Sequence, residues 1–413
     1  MDQIFLLEIM IENVRHLRNI TIPISEEQPR HLILTGKNGS GKTSVLEAVS
    51  GYLNHVMIRN EFENVPMGAL VWKEEFDEEH LIIDGVSLRF SQTLKVLEDA
   101  LRKGQFVLAH YGDKRYFHAE PPEHVEKIKL KNRYKITDTP GRLFIKYLLD
   151  MKVTEALART NGNSEKADKI TLWFSDFERL LQRIFEDPSL RLIFEEDTFS
   201  FFIQEKNREL FDFYSLSSGF AAILDIVLDL MLRMEAHNNK VFDFALPGIV
   251  LIDEIETHLH INLQRSILDL LTTIFPNIQF IITTHSPYIL NSVENCVIYD
   301  LEKNIRIEDM SGYSAEGIVE GYFEAESYSR LLLEKIQRYK VLSDVMEPTE
   351  EERIERANLR IYLKQLSGNL ASEAKDAFED IEKNRRKNGK VHSELYRESK
   401  SSDNFFKQGQ SFP

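Results

Sequence analysis

The sequence predicts an α/β fold: a mixed sheet flanked by helices, an antiparallel β-subdomain at the N-terminus, a helical insertion and a C-terminal helical region. Three observations carry this. Residues 3–25 alternate apolar and polar side chains, with Ile4, Leu6 and Met10 followed by Ile20, Ile22 and Ile24, the period of half-buried strands. Short apolar runs over 249–253, 278–284 and 296–301 alternate with helical segments, which is how the buried strands of a parallel sheet read. Residues 123–187 and 315–383 have the spacing of helices.

In chain order, the opening alternation gives two antiparallel strands around Arg15-His16-Leu17-Arg18. Residues 31–35 (His-Leu-Ile-Leu-Thr) give a short buried strand. A glycine-rich turn follows, then a helix with Val45, Leu46, Val49 and Leu53 on one face. Residues 55–116 read as short strands and turns, the strands centred on 81–83, 88–90 and 106–109. Residues 123–187 read as mostly helix, with Leu143, Phe144, Tyr147 and Leu148 on one face and a polar break at Asn161-Gly162-Asn163-Ser164. No heptad persists there, so no long coiled coil is expected. Strands at 190–194, 198–204 and 209–213 and a helix over 221–235 come next. Thr349 with Glu352, after Pro348, forms a capping box that starts a new helix. The expected organisation is a head over 1–310 with its insertion at about 120–187, a helical partner-binding region over 311–383, and a polar disordered tail over 384–413.

The apolar runs are far too short to cross a bilayer, and the N-terminus opens on a strand pattern with no basic-then-apolar leader. A single cysteine, Cys296, excludes an internal disulfide framework. A cytoplasmic protein without membrane contact is expected. The chain has 51 basic and 67 acidic residues, a net charge of −16. That balance does not suit a protein coating a long stretch of DNA by itself. A local basic groove, a basic partner, or plain solubility all fit it.

Gly36-Lys37-Asn38-Gly39-Ser40-Gly41-Lys42-Thr43, followed by Ser44, fits GxxxxGK[ST] between a buried strand and an amphipathic helix. Glycines let backbone N–H groups turn inward around phosphates, and the helix N-terminus adds partial positive charge. Lys42 is expected to reach the β- and γ-phosphates, and the Thr43 hydroxyl to bind Mg²⁺.

Ile249-Val250-Leu251-Ile252 runs into Asp253 and Glu254. Carboxylates at a buried strand end are costly without a cation or a chemical task. Asp253 is expected to hold Mg²⁺, directly or through water, and Glu254 to polarise the attacking water. A second apolar strand ends in Thr284-His285-Ser286, where His285 can sense the γ-phosphate and position water. Ser217, Ser218 and Gly219 precede a helix and form a second anion site. Two anion sites far apart in one chain suggest a sandwich, with each nucleotide between the phosphate loop of one subunit and the Ser217-Ser218-Gly219 turn of another.

These pieces, GKNGSGKTS, LSSG, VLIDEIE and TTHSP in this order, resemble the ABC superfamily of ATPases. Asp253-Glu254-Ile255-Glu256-Thr257-His258-Leu259-His260 is similar to the DExExHLHP pattern of the SMC/RecF/OLD branch rather than of transporters. The resemblance covers the chain to about Leu301 in its motifs. It implies an ABC ATPase head, with Gly36, Asn38, Gly39, Ser40, Gly41, Lys42, Thr43, Ser44, Asp253, Glu254 and His285 serving a nucleotide in cis and Ser217, Ser218 and Gly219 in trans. Two departures stand out: Phe220 where Gln or Glu is usual, and Ile261 where proline is usual. No convincing Q-loop glutamine is present, Gln92 and Gln105 being weak candidates. Tyr111-Gly112-Asp113-Lys114-Arg115 resembles a Tyr-Gly-x-x-Arg of small bacterial defence ATPases. Arg115 is therefore expected to contact nucleotide or the dimer mate, or to sit in a surface salt bridge. Asp253, Glu256, His258 and His260 could suggest a metal cluster, but zinc sites need four ligands in closed geometry, so packing of the histidines is preferred.

No buried strand ending in Asp-x-Asp follows His285, so no intrinsic nuclease is expected. The resemblance implies an ATP- and Mg²⁺-dependent subunit of an anti-phage system of the Septu or retron-associated kind. It would form a homodimer or larger oligomer and control a separate HNH-type nuclease, with DNA reached through that partner. The alternatives are a RecF/SMC-like repair ATPase that binds DNA directly, and a slow nucleotide-dependent scaffold.

Overall fold

The computed structural model describes residues 3–59, 81–206, 208–238, 241–308, 310–322, 330–345, 348–366 and 380–383. The chain divides into two compact units, Met1–Ile318 and Val319–Pro413. The predicted tail over 384–413 lies outside the described residues.

The first unit opens with β1 (Leu6–Val14) and β2 (Leu17–Pro23). Their register, Val14 opposite Leu17, narrows the turn to Arg15 and His16, with Arg15 at φ +51°. β3 (His31–Thr35) leads into α1 (Lys42–Arg59). After the undescribed stretch come β4 (Val86–Phe90), α2 (Leu94–Arg102) and β5 (Val107–Tyr111). A 3-10 turn (Pro140–Leu143) precedes α3 (Phe144–Thr160) and α4 (Ser164–Ile184). Three short strands follow: β6 (Arg191–Glu195), β7 (Ser200–Gln204) and β8 (Phe211–Asp212). Then come α5 (Ser218–Asn238), β9 (Gly248–Ile252), α6 (Ile261–Ile274), β10 (Ile278–Thr283), α7 (Pro287–Leu290), β11 (Cys296–Asp300), β12 (Ile305–Ile307) and α8 (Ala315–Gly317).

The central sheet has the order β12-β11-β3-β10-β9-β5. It is parallel except for the β11–β12 pair. It is the mixed sheet the apolar runs predict, and β9, β10 and β11 are buried along their length. A second sheet, β2-β1-β4, is antiparallel. α1 lies in one core with both sheets: Val45, Leu46, Val49 and Leu53 are fully buried with Ile9, Ile11, Leu34 and Leu251. Each such side chain contributes about 1.5–3 kcal/mol by leaving water. Gln279, 3 % exposed, joins the sheets through polar contacts. Its amide accepts from Leu6 N–H (2.7 Å) and donates to the Leu6 (3.0 Å) and Arg30 (2.8 Å) carbonyls. The third sheet, β6-β7-β8, is antiparallel and small.

Three expectations need correction. Of residues 81–83, only Ile83 pairs, in an isolated bridge with Val86 across the Asp84-Gly85 turn. The helix expected from 123 begins only at Pro140–Leu143 and Phe144. Before it, side chains take up backbone groups that a helix would have paired. Asp150 accepts from Ile128 N–H (3.2 Å), Tyr134 Oη from Lys131 N–H (3.0 Å) and Asp138 from Lys135 N–H (3.0 Å). Conversely, α2 stands where short strands and turns were expected. Leu94, Leu97 and Leu101, at i, i+3 and i+7, form its buried face, a helical period passed over in the sequence.

A buried ion pair braces α5. The Asp229 carboxylate accepts from Arg233 Nε (2.7 Å), Tyr111 Oη (2.8 Å) and Gly141 N–H (2.8 Å). Arg233 also donates to the carbonyls of Leu108 (2.9 Å), Lys135 (3.0 Å) and Asp138. With every polar group satisfied, the pair ties α5 to β5 and to the segment before α3.

In the second unit, α9 (Arg330–Asp344) and α10 (Glu350–Leu366) pack around buried Tyr339 and Leu363. The capping box is present: Thr349 N–H donates to Glu352 Oε2 (2.8 Å) and Glu352 N–H to Thr349 Oγ1 (3.2 Å).

Candidate functional site

β3 delivers the chain into the glycine-rich turn. Gly36, Gly39 and Gly41 lie at φ +130°, +85° and +100°, backbone that L side chains rarely adopt. At Gly41 space is limiting too, since a Cβ would stand 2.8 Å from Leu17 Cδ1. The β1–β2 turn therefore packs on the phosphate loop. Lys42 opens α1, is 6 % exposed, and donates from Nζ to the Gly36 (2.8 Å) and Lys37 (3.2 Å) carbonyls. Burial lowers its pKa, opposed by Glu254, Glu256, Asp253 and Asp300. Ser40 Oγ is buried with no hydrogen-bond partner among the described residues, a donor available to a phosphate oxygen.

β9 and β10 are parallel neighbours, with Ile252 beside Ile282, so their ends arrive together. Asp253, 4 % exposed, accepts at Oδ1 from Thr283 Oγ1 (2.5 Å) and Thr43 Oγ1 (3.3 Å). Glu254 sits at φ +44°. Its N–H donates to Thr283 Oγ1 (2.7 Å), and its Oε2 accepts from Thr257 Oγ1 (3.1 Å). Glu256 holds the end of β10: Oε2 accepts from Thr284 Oγ1 (2.8 Å) and Oε1 from His285 N–H (2.5 Å). Burial and then Lys42 lower the His285 pKa, against three carboxylates. The imidazole is thus neutral at neutral pH and can accept a hydrogen bond.

A cavity of about 210 Å³ gathers Asn38, Gly39, Gly41, Lys42, Thr43, Ser44, Glu254 and His285. Arg15 and His16 line it too. They were read only as a turn, and the packing of Leu17 and His16 against Gly41 brings them here. The arrangement offers backbone N–H groups and a lysine for phosphates, two neighbouring oxygen donors for a hard cation, and a carboxylate and imidazole for a water. Thr43 Oγ1 and Asp253 Oδ1, both oxygen ligands, suit Mg²⁺ completed by waters and phosphate oxygens.

Ser217, Ser218 and Gly219 are not in this cavity. They line a separate one of about 390 Å³ with His258, His260 and Asn262. Ser217 precedes α5 and its carbonyl accepts from Ala221 N–H (2.9 Å). Phe220, the departure after the glycine, stacks on Phe185 with ring centroids 4.2 Å apart. His258 and His260 are exposed, and the His258 ring lies 5.6 Å from the exposed Tyr116 ring. Among the described residues no group of three His, Cys, Asp or Glu side chains could hold a metal. Gln92 and Gln105 line a different cavity, with Gln3 and Asn277. β5 instead brings His110 beside Leu251, within electrostatic reach of Asp253.

Arg115 departs from one of its expectations, the surface salt bridge. It is 2 % exposed, so it makes no surface salt bridge. Its guanidinium is taken up by carbonyls of its own chain, Gly112 (2.8 Å), Asp253 and Glu254 (2.6 Å), and it does not line the phosphate-loop cavity.

Residues 146–291 match a family model described as "AAA domain, putative AbiEii toxin, Type IV TA system". That span holds the Ser217-Ser218-Gly219 turn, the Asp253-Glu254 pair and His285, but not the phosphate loop. The Septu protein PtuA of Bacillus mycoides (strain KBAB4) is 26 % identical over 387 residues, 87 % of this chain and 50 % of that protein. The Retron Ec83 probable ATPase of Escherichia coli is 34 % identical over 142 residues, 32 % of this chain and 26 % of that protein. The chain spans half the length of the first relative and about a quarter of the second. Among solved structures, an SMC head bound to the C-terminal winged-helix domain of ScpA is similar over 73 % of this chain and 96 % of that one, at 16 % identity and TM-score 0.38. No helix among the described residues is long and apolar enough to cross a membrane. The α/β head and the named relatives agree with the resemblance read from the motifs: the chain is similar to the Septu protein PtuA and to a probable ATPase of a retron.

Proposed function

We propose that this chain binds and hydrolyses ATP as a subunit of a bacterial anti-phage defence complex. Two copies would sandwich two nucleotides and control a separate nuclease. The observation that carries the reading is the 210 Å³ cavity, which joins the phosphate loop to Glu254 and His285 while the Ser217-Ser218-Gly219 turn stands in another. A site with a cis half and a distant trans half is completed by a second copy.

In this reading Lys42 leaves the Gly36 and Lys37 carbonyls for the β- and γ-phosphates. Thr43 and Asp253 would hold Mg²⁺, which would offset phosphate charge. Glu254 accepts a proton from, or orients, the attacking water, and neutral His285 holds that water near the γ-phosphate. Thr283 keeps the two carboxylate-bearing residues in register, its hydroxyl touching Asp253 Oδ1 and receiving Glu254 N–H. Burial of Lys42 and Asp253 keeps these charges in a low dielectric, where positioning does most of the catalytic work.

The test is gentle purification of the tagged protein from its native host with ATP present, followed by mass spectrometry and light scattering. A stoichiometric nuclease and an ATP-dependent dimer or larger oligomer support the reading. Bound DNA with DNA-stimulated hydrolysis and no protein partner would replace it with the repair ATPase. Assembly with negligible turnover would replace it with the scaffold.

A further inference from the structure

We infer that Arg115 is a positioning residue for hydrolysis: its buried guanidinium clasps the Asp253 and Glu254 carbonyls and fixes the left-handed backbone that aims Glu254 into the phosphate-loop cavity. This rests on the reading of Glu254 as the hydrolytic carboxylate.

Glu254 is a non-glycine residue at φ +44°, a conformation that persists only where its surroundings over-determine it. Glycine would adopt it freely, but glycine carries no carboxylate. The chain keeps the carboxylate and pins the backbone from both sides. Thr283 Oγ1 receives the Glu254 N–H at 2.7 Å, and Arg115 donates to the Glu254 carbonyl at 2.6 Å. The same guanidinium donates to the Asp253 carbonyl and to Gly112 at 2.8 Å. Three carbonyls on one side chain use the planar fork of arginine, which the point charge of lysine cannot reproduce. A buried cation is costly without compensation. Here the carboxylates of Glu256, Asp253 and Asp113 offset the effect of burial on its charge. The clasp also joins the β5 strand end to the acidic loop: Asp253 N–H donates to the Tyr111 carbonyl at 2.8 Å, four residues before Arg115. The catalytic loop is therefore held by its neighbouring strand end as well as by its own strand.

The experiment compares wild type with Arg115→Ala, Arg115→Lys, Glu254→Gln and the Arg115→Ala/Glu254→Gln double variant. It measures affinity for a fluorescent ATP analogue and steady-state ATP hydrolysis per bound nucleotide. Arg115→Ala is expected to bind within about threefold of wild type while kcat falls about 10–100-fold, the size of effect that about 1 Å of misplacement produces. Arg115→Lys should give an intermediate kcat at unchanged KM. The double variant should hydrolyse no more slowly than Glu254→Gln, since the group being positioned is already gone. Wild-type kcat in Arg115→Ala, lost nucleotide binding in its folded form, or losses that multiply in the double variant would each overturn the proposal. Should Arg115→Ala not fold, Arg115→Lys decides: reduced kcat per bound nucleotide supports the role, and wild-type kcat overturns it. Wild-type hydrolysis by Glu254→Gln would instead remove the hydrolytic reading of Glu254, and this inference with it.

Discussion

Asp225→Asn is expected to stabilise the first unit, and to do so more at pH 8 than at pH 5. Asp225 lies on α5 among Asp229, Arg115 and Arg142. Burial, and then Asp229, raise its pKa from 3.8 to about 7, against the pull of the two arginines. The sign follows from proton counting. Between pH 4 and 7 the folded state holds a proton that the unfolded chain has lost, so stability falls as pH rises through that window. Above pH 7 the full penalty applies, about 4 kcal/mol from a shift of about three pH units. At pH 5 only about 1.5 kcal/mol of it has developed. Asparagine keeps the shape and removes the titration, so its advantage grows by about 3 kcal/mol between pH 5 and pH 8. For a unit of 318 residues the unfolding entropy scales to about 0.7 kcal/mol/K, and 3 kcal/mol becomes about 4 °C. Calorimetric melts of both proteins at the two pH values provide the measurement. A variant less stable than wild type at pH 8 would refute the reasoning, because it would mean that Arg115 and Arg142 make the ionised Asp225 favourable instead of burial penalising it. An equal Tm shift at both pH values would refute it as well.

Lys42→Ala should weaken ATP binding at least about 100-fold, equivalent to about 3 kcal/mol for lost charge-assisted bonds, as read by nucleotide titration; wild-type affinity would sink the phosphate-loop assignment. Glu254→Gln keeps the backbone bonds to Thr283 and Arg115, so it should bind ATP normally. Its phosphate release should fall about 10²–10⁴-fold, with a closed dimer accumulating in light scattering, and turnover at the wild-type rate would count against Glu254. Gly41→Ala places a Cβ 2.8 Å from Leu17 Cδ1 at φ +100°, and should cost about 1–3 kcal/mol in a denaturant melt and lower ATP affinity as the loop distorts. An unchanged midpoint and affinity would show that the β1–β2 turn yields freely.

The sequence determined what local patterns can determine. The period-2 alternation before residue 25 became β1 and β2, and the apolar runs before Asp253 and His285 became neighbouring parallel strands. Apolar strands of a parallel sheet are buried on both faces, so their composition shows without knowledge of their partners. Thr349 and Glu352 announced α10 because a capping box is complete within four residues. Where the backbone is satisfied by distant side chains, no local signal exists. Residues 123–139 have a helical composition, yet their N–H and carbonyl groups are claimed by Asp150, Tyr134, Asp138 and Arg233. The same holds at the site. The phosphate loop, the acidic pair and His285 are legible as motifs, since each is a short run with its own chemistry. That Arg15 and His16 border the cavity, that Glu256 braces the end of β10, and that Arg115 turns inward were decided by tertiary packing alone. An arginine five residues beyond His110 carries the same letter whether it faces water, a nucleotide or two buried carbonyls. Only the register of β5 against β9 places Arg115 beneath the acidic loop, where desolvation turns a surface cation into a clasp.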